Sequence, residues 1–238
     1  MSYIYLIRHA QAGTRENYDV LSEMGEEQAR LLGEYLKAEE LVLDAVYSGS
    51  MNRQRRTAEI TVSNLSRDGQ DGPEVITIEG LNEFNLASVY RAIANRLMEE
   101  SKEFECDFKE MQEALRIDPH TTRGATGRCD ATVIRAWISN IYPDYGGETW
   151  AEFCTRIRGC FSSLVDGDGE RSIAIFTSAT PIAILTGGAL GLDEERLLSI
   201  LGVIYNAGIT TLRVKNGTSR LFTFNETPHL PRGLRTFR

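Results

Sequence analysis

Tyr3-Ile4-Tyr5-Leu6-Ile7 is an apolar run of strand-forming residues, and it leads without a break into the polar segment Arg8-His9-Ala10-Gln11-Ala12-Gly13. This pattern predicts a buried β-strand followed by a loop. In open α/β sheets, ligands bind beyond the carboxyl ends of the strands. Arg8 and His9 come at such an end and are therefore the first candidates for a functional site.

Strand and helix patterns alternate along most of the remaining chain. Ser22 is a suitable N-cap for the helical pattern that begins at Glu23. This order of elements predicts an α/β fold, a three-layer sandwich whose mostly parallel mixed sheet is flanked by helices. The predicted strands cover residues 3–7, 43–47, 75–78 and 172–177, with a hairpin of 209–214 and 221–224 around Asn216-Gly217.

One block interrupts the alternation of strands and helices. Residues 87–145 have apolar positions at mainly helical spacing, such as Val89, Ile93 and Leu97. We interpret the block as a helical cap inserted into a single domain that spans residues 1–238. A chain of 238 residues fits one large domain with an insertion better than it fits two full domains.

The charge balance limits the classes of partner. The chain carries a formal net charge of −8. Non-specific binding to nucleic acid or to an anionic membrane rewards a basic surface, so we expect neither kind of partner. Only four of the 26 basic residues are lysines. The abundant arginines suit bidentate recognition of phosphate or carboxylate, although a GC-rich coding genome explains them equally well.

The four cysteines carry no signature of a metal site. Cys106, Cys129, Cys154 and Cys160 form no C-x-x-C pair and have no histidine at zinc-ligand spacing. The sequence shows no secretory leader and no apolar run long enough to span a membrane. We therefore expect a cytoplasmic protein with reduced cysteines, no bound metal and no other cofactor.

Polar side chains of complementary chemistry follow the other predicted strands. Arg53 lies just past the second strand, Glu83 follows the third, and Ser178 follows the strand of residues 172–177. Two guanidinium groups suit phosphoryl oxygens, an imidazole can attack phosphorus in line, and a carboxylic acid can protonate a departing alkoxide. Together these residue types predict phosphoryl transfer.

Short motifs in a fixed order along the chain resemble those of the histidine phosphatase, or phosphoglycerate mutase-like, superfamily. Their order is more specific than any single match, and they span nearly the whole chain outside the insertion. The third match has one extra residue before the arginine, which leaves Arg55 or Arg56 as an alternative to Arg53. The matches are Arg8-His9-Ala10 for R-H-G, residues 21–29 (LSEMGEEQA) for L-T-x-x-G-x-x-Q-A, residues 48–58 (SGSMNRQRRTA) for S-x-x-x-R-A-x-Q-T-A, residues 81–83 (LNE) for L-x-E, residues 146–149 (GGET) for G-G-E-S and residues 225–230 (NETPHL) for N-D-T-x-H-L.

The resemblance implies a metal-independent phosphomonoesterase that acts through a phosphohistidine on His9. Glu83 would be the general acid, and Arg8, Arg53 and Ser178 would bind the substrate phosphate. The substrate would be a small-molecule or protein phosphomonoester, and the formation of oligomers is left open. A phosphoglycerate mutase-type phosphotransferase of the same family fits less well, because the R-H-G-E-S-x-W-N run is absent.

Ser178 is the main departure from the family pattern. The family reads S-H-G after this strand, with the histidine contacting phosphate, whereas this chain reads Thr177-Ser178-Ala179. A hydroxyl donates a hydrogen bond but supplies no positive charge, and the loss of one stabilising group commonly costs about 10²–10³ in rate. The residues alone leave open a slow phosphatase, a catalytically degenerate phospho-ligand-binding protein and an engineered variant.

This departure raises two expectations. If only one phosphate-contacting cation has been lost, replacing Ser178 by histidine should raise kcat/KM by about 10- to 10³-fold. If the cap instead supplies the missing imidazole, His120 is the residue that brings it.

Overall fold

The fold is built around a mixed β-sheet. A computed structural model describes residues 1–14, 17–65, 72–119, 121, 123–167 and 169–237. Within these residues the sheet has six strands in the order β3-β2-β4-β1-β5-β6, and β3, β2, β4 and β1 run parallel while β5 is antiparallel to both of its neighbours. The strands are β1 (Ser2–Arg8), β2 (Ala45–Ser48), β3 (Val75–Thr77), β4 (Ser172–Thr177), β5 (Ile209–Lys215) and β6 (Thr218–Glu226).

Helices flank this sheet, which confirms the predicted three-layer α/β class. The sequence pattern missed α8, a short helix of eight residues that follows α7. The described helices are α1 (Glu23–Ala38), α2 (Asn52–Leu65), α3 (Leu86–Glu100), α4 (Lys102–Ile117), α5 (Ala125–Ile138), α6 (Trp150–Val165), α7 (Ala179–Leu190) and α8 (Glu194–Leu201). None of these helices is long and apolar enough to cross a membrane.

The chain divides into two compact units. The first consists of Met1–Glu83 with Arg156–Arg238 and contains the whole sheet. The second consists of Phe84–Thr155 and is helical. The second unit includes the block of residues 87–145 that we interpret as an insertion, and it extends that block at both ends.

Strand β1 lies at the centre of the sheet, between β4 and β5. Ile4, Leu6 and Ile7 have no exposed surface. Complete burial of each such side chain stabilises the fold by about 1.5–3 kcal/mol. This burial fixes the register of the strand, and with it the point at which Arg8 and His9 leave the sheet.

The sequence predicts a helix cap at Ser22 and a hairpin turn at Asn216-Gly217, both within the first unit. The Ser22 hydroxyl oxygen accepts a hydrogen bond from the Gly25 amide at 3.0 Å, as expected for the N-cap of α1. Asn216 and Gly217 have φ angles of 51° and 72°, the left-handed conformation that a tight hairpin between β5 and β6 requires. Both predictions are confirmed.

His229, in the segment after β6, is buried against Tyr35, with ring centroids 5.8 Å apart. Burial lowers the pKa of His229 to about 4. An exposed histidine in the unfolded chain titrates near pH 6.5. His229 therefore binds a proton in the unfolded state at pH values where it is still neutral in the folded state. The free energy of unfolding must therefore fall as the pH falls from about 6.5 towards 4.

We expect His229→Phe to flatten this dependence. His229 alone accounts for a loss of about 2 kcal/mol in the free energy of unfolding between pH 7 and pH 5. Urea unfolding of the wild type and of the variant at both pH values measures the difference. Equal losses in the two proteins would contradict the assignment, because every other titrating group is common to both.

Candidate active site

The predicted site residues meet at one edge of the sheet. β2, β4 and β1 are neighbours and parallel, so their carboxyl ends lie side by side. The His9 amide donates to the Thr177 carbonyl oxygen at 2.8 Å, and the Gly49 amide donates to the Phe176 carbonyl oxygen at 3.0 Å. The loops that leave these three strands are thus tied to each other by backbone hydrogen bonds.

His9 is buried, and its hydrogen bonds define its tautomer. Nδ1 lies 2.8 Å from the Ala10 carbonyl oxygen, which can only accept, so Nδ1 carries the proton. Arg53 Nε donates to the remaining nitrogen, Nε2, at 3.2 Å. Burial, followed by the positive charges of Arg53 and Arg8, holds the pKa of His9 well below its usual value. His9 is therefore a neutral imidazole with its lone pair on Nε2.

Arg53 is oriented from three sides. It lies in the first turn of α2, and its Nη1 donates to Asp19 Oδ1 at 3.0 Å. Its guanidinium carbon lies 4.8 Å from the centroid of the Tyr18 ring. Asp19 Oδ2 also accepts from the Asn52 amide at 3.0 Å, so the same carboxylate caps α2. The guanidinium consequently stays beside His9.

The structure distinguishes Arg53 from its two neighbours on α2. Arg55 and Arg56 are exposed, and both form ion pairs with Glu59 on the same helix. Arg53 is 6% exposed and contacts His9. Of the three arginines, Arg53 is the one that the structure brings to the site.

Arg8 supplies the second buried guanidinium. Its Nη1 donates to the Ile204 carbonyl oxygen at 2.5 Å, whereas its Nε has no hydrogen-bond partner among the described residues. Burial lowers the pKa of Arg8, and the neighbouring Tyr18 hydroxyl and Glu83 carboxylate oppose that effect. A buried N–H of a cation without an acceptor is costly, so this group is suited to receive an anionic oxygen.

The Glu83 side chain contacts the first turn of α7. Its Oε2 accepts a hydrogen bond from the Thr180 amide at 3.2 Å, in the first turn of that helix. Its electrostatic effect on Arg8 places it in the same charged cluster. The structure thus brings together His9, Arg8, Arg53 and Glu83, at the edge where Ser178 also emerges from β4.

Asn82 is a positioning residue that sequence reasoning missed. Its Oδ1 accepts from the amides of Ser50 and Met51 at 2.7 and 3.3 Å, and its Nδ2 donates to Ser50 Oγ at 2.7 Å. Asn82 precedes Glu83 directly, while Ser50 and Met51 precede α2. The side chain therefore links the general-acid candidate to the helix that carries Arg53. Only the middle position of the L-x-E motif pointed to it.

Gln54 is a second residue of the site that sequence reasoning did not identify. Its Nε2 donates to Ser178 Oγ at 2.7 Å, and both residues are almost completely buried. One signal in the sequence could have identified it. The family motif R-A-x-Q-T-A has an alanine after the arginine, whereas this chain has the larger, polar Gln54 at that position.

The sequence offers one further candidate, the cap histidine His120. His120 lies outside the described residues. Among the described residues, no group of three or more His, Cys, Asp or Glu side chains is arranged to hold a metal ion. The assembled site is thus two buried guanidinium groups and a neutral imidazole, with a carboxyl group and a hydroxyl beside them.

Comparison with known proteins gives a family and a fold. The model of the histidine phosphatase superfamily (branch 1) matches residues 4–119 and 91–227. A curated relative, the 2,3-bisphosphoglycerate-dependent phosphoglycerate mutase of Parvibaculum lavamentivorans, is 34% identical over 87 residues. That match covers 34% of this chain and 40% of the relative, so it spans well under two thirds of the mutase.

Solved structures resemble the chain over nearly its full length. YhfR of Bacillus stearothermophilus is 21% identical, with a TM-score of 0.66 over 96% of this chain and 99% of that one. Phosphoserine phosphatase of Entamoeba histolytica, in complex with 3-phosphoglyceric acid, is 20% identical, with a TM-score of 0.62 over 97% and 100%. A mycobacterial glucosyl-3-phosphoglycerate phosphatase in complex with VO3 is 20% identical, with a TM-score of 0.63 over 95% and 100%. At these identities the likeness concerns the fold.

We expect His9 to remain neutral at a pH where an ordinary histidine is half protonated. The depressed pKa and the Nδ1–H···O bond to Ala10 predict ¹⁵N chemical shifts of a neutral Nδ1–H tautomer that do not change between pH 8 and pH 6.5. Comparison with His9→Ala assigns the resonance. A titration midpoint near pH 6.5 for His9 would contradict its burial beside the positive charges of Arg8 and Arg53.

We expect Arg53→Met to weaken the binding of inorganic phosphate by about 10- to 100-fold, because it removes a charge-assisted donor that contributes about 1.5–3 kcal/mol. Arg55→Met is the matched control on the exposed side of the same helix and should leave the affinity unchanged. Titration calorimetry measures both, with circular dichroism to verify folding. Equal affinities of the two variants would remove Arg53 from the anion site.

Proposed function

The chain belongs to the histidine phosphatase superfamily, and on that premise we propose that it hydrolyses phosphomonoesters through a phosphohistidine on His9. One observation carries the proposal. His9 is held as a neutral imidazole whose Nε2 lone pair faces the Arg53 guanidinium. A group in that state attacks phosphorus at the place where anionic oxygens would be bound.

Substrate binding uses the two guanidinium groups. The phosphoryl oxygens accept hydrogen bonds from Arg8, whose Nε lacks a partner among the described residues, and from Arg53. Arg53 Nε then turns from His9 Nε2 to the substrate, so the lone pair becomes available as the anion arrives. Positioning and charge neutralisation supply most of the catalysis in reactions of this class.

Two chemical steps follow. In the first, Nε2 forms a bond to phosphorus and the bond to the ester oxygen breaks. Glu83, which takes up a proton when the dianionic substrate binds, gives that proton to the departing alkoxide. In the second, Glu83 as a carboxylate takes a proton from water, the resulting hydroxide attacks phosphorus, and the P–N bond breaks to return neutral His9 and phosphate. The hydrogen bond from the Thr180 amide keeps the carboxyl group in place for both steps.

We propose small phosphorylated metabolites as the first class of substrate, with phosphoproteins as the second. Two structural neighbours are named for phosphoserine and for glucosyl-3-phosphoglycerate. Both are compact organic phosphates with further polar groups. The match to a phosphoglycerate mutase justifies the inclusion of phosphoglycerates in any substrate panel.

A second candidate function is the binding of a phosphorylated ligand with little or no turnover. Ser178 favours it, because a neutral hydroxyl replaces an imidazole that would stabilise the transition state. Arg8, His9, Arg53 and Glu83 favour catalysis, since a mere binding site needs no general acid.

We expect His9→Ala to abolish metal-independent phosphatase activity, and rapid quench of the wild type to trap an acid-labile, base-stable phosphoenzyme on His9. Glu83→Gln should slow alkyl phosphates by about 10²–10⁴ but affect p-nitrophenyl phosphate much less, since that leaving group needs little protonation. A steady-state and burst assay on a phosphomonoester panel, with and without EDTA, measures both effects.

Arg55→Met serves as the control variant and should retain full activity. Unchanged turnover in His9→Ala would refute the phosphohistidine mechanism. Phosphate binding without any turnover on the panel would favour the binding function.

A further inference from the structure

We propose that Gln54 is a positioning residue that holds the Ser178 hydroxyl as a neutral donor to the phosphoryl group, and that the two side chains replace an imidazole as a pair. The inference deepens the proposed function and rests on it. It assigns a role to the departure at Ser178, which the sequence alone presents as a loss.

The direction of the hydrogen bond between the two side chains is fixed. The Gln54 amide nitrogen can only donate, so Ser178 Oγ accepts, at 2.7 Å. The hydroxyl retains one proton to donate. Ser178 occupies the N-cap position of α7, yet its side chain makes no capping hydrogen bond, unlike most serines at that position. Gln54 therefore holds the hydroxyl away from the helix end.

Gln54 itself occupies an unfavourable position. Its Oε1 is buried and has no hydrogen-bond partner among the described residues. A Cβ on Gly49 would lie 1.9 Å from Gln54 Oε1, so the glycine is needed to make room for the amide. An unpaired buried carbonyl is destabilising, and such costs are typical of functional sites. The alanine of the family motif would avoid this cost.

The pair lies beside the nucleophile. Gln54 and Arg53 are consecutive residues of α2, and they contact Ser178 and His9 respectively. Ser178 and His9 follow the neighbouring parallel strands β4 and β1. The hydroxyl proton therefore lies in the loop cluster where the phosphoryl group would be attacked, next to the oxygens that Arg53 would bind.

This placement changes the expectation for Ser178→His. Ser178 is only 1% exposed, and Gln54 fills the space next to it. An imidazole at position 178 would meet the Gln54 amide, so the single substitution should give no gain. The double variant Gln54→Ala/Ser178→His combines the space with the cation and should raise kcat/KM by about 10- to 10³-fold.

The test compares kcat, KM and phosphate affinity in a set of variants. Gln54→Met keeps the size of the side chain but removes its amide, and it should lower kcat about 10-fold, as should Ser178→Ala. The combination of these two should be no worse than either alone, because both remove the same donor. Arg55→Met is the control on the same helix. Urea unfolding of each variant separates a loss of activity from a loss of folding.

A pH profile adds a readout that packing would not change. In the double variant Gln54→Ala/Ser178→His, the affinity for sulfate, whose charge does not change in this pH range, should fall as the pH rises through the titration of the new histidine, whereas the wild type should lack this step. Full kcat in Gln54→Met, or an equal gain in Ser178→His alone and in the double variant, would overturn the pairing.

A failure of the role proposed for Gln54 can be distinguished from a failure of the proposed function. If no variant hydrolyses any phosphomonoester, the proposed function fails, and inorganic phosphate then serves as the probe. Gln54→Met and Ser178→Ala should still weaken phosphate binding by the same factor, about 3- to 10-fold, for a neutral hydrogen bond. Unequal or absent effects would overturn the role of Gln54.

Discussion

Two buried guanidinium groups held against one buried imidazole are the constraint on which the rest of the site depends. In a buried site the two positive charges repel each other, and each guanidinium loses its hydration. The burial of Arg8 and Arg53 therefore needs negative charges nearby. Asp19 opposes the charge of Arg53, and Glu83 opposes that of Arg8. The imidazole responds by remaining neutral, which is the state that a nucleophile needs.

The scaffold holds this arrangement by connecting loops that are distant in sequence. Thr57 Oγ1 accepts from the Ala10 amide at 3.0 Å and donates to the Arg53 carbonyl oxygen at 2.7 Å, which ties α2 to the loop after β1. Asn206 Nδ2 donates to the His9 carbonyl oxygen at 3.1 Å. Asn82 connects the start of α2 to Glu83 in the same way. Each of these residues fixes a backbone, so the reactive side chains have little freedom to drift.

Much of the fold and part of the candidate site could be predicted because they depend on local patterns. The strand that precedes Arg8 and His9 is a continuous apolar run, and the turn at Asn216-Gly217 has its own chemistry. α8 was missed because a helix of eight residues depends on packing: Leu197 is buried against α7, where a Cβ on Gly187 would lie 3.2 Å from it. Contacts between distant residues leave no periodicity, so neither Gln54 with Ser178 nor Asn82 with Ser50 was foreseen.

If His9 is the nucleophile, as proposed, the hydrogen bond from Arg53 would also protect it chemically. The Nε2 lone pair accepts a hydrogen bond from the Arg53 guanidinium, and His9 is only 1% exposed. An uncharged electrophile has no anionic oxygen to replace His9 as the partner of Arg53, so the Nε2 lone pair would stay engaged. A phosphorylated molecule would offer anionic oxygens to the guanidinium and so release the lone pair of His9 as it binds. On the proposed mechanism, the same contact that keeps the imidazole in its tautomer would thus favour charged substrates over uncharged electrophiles.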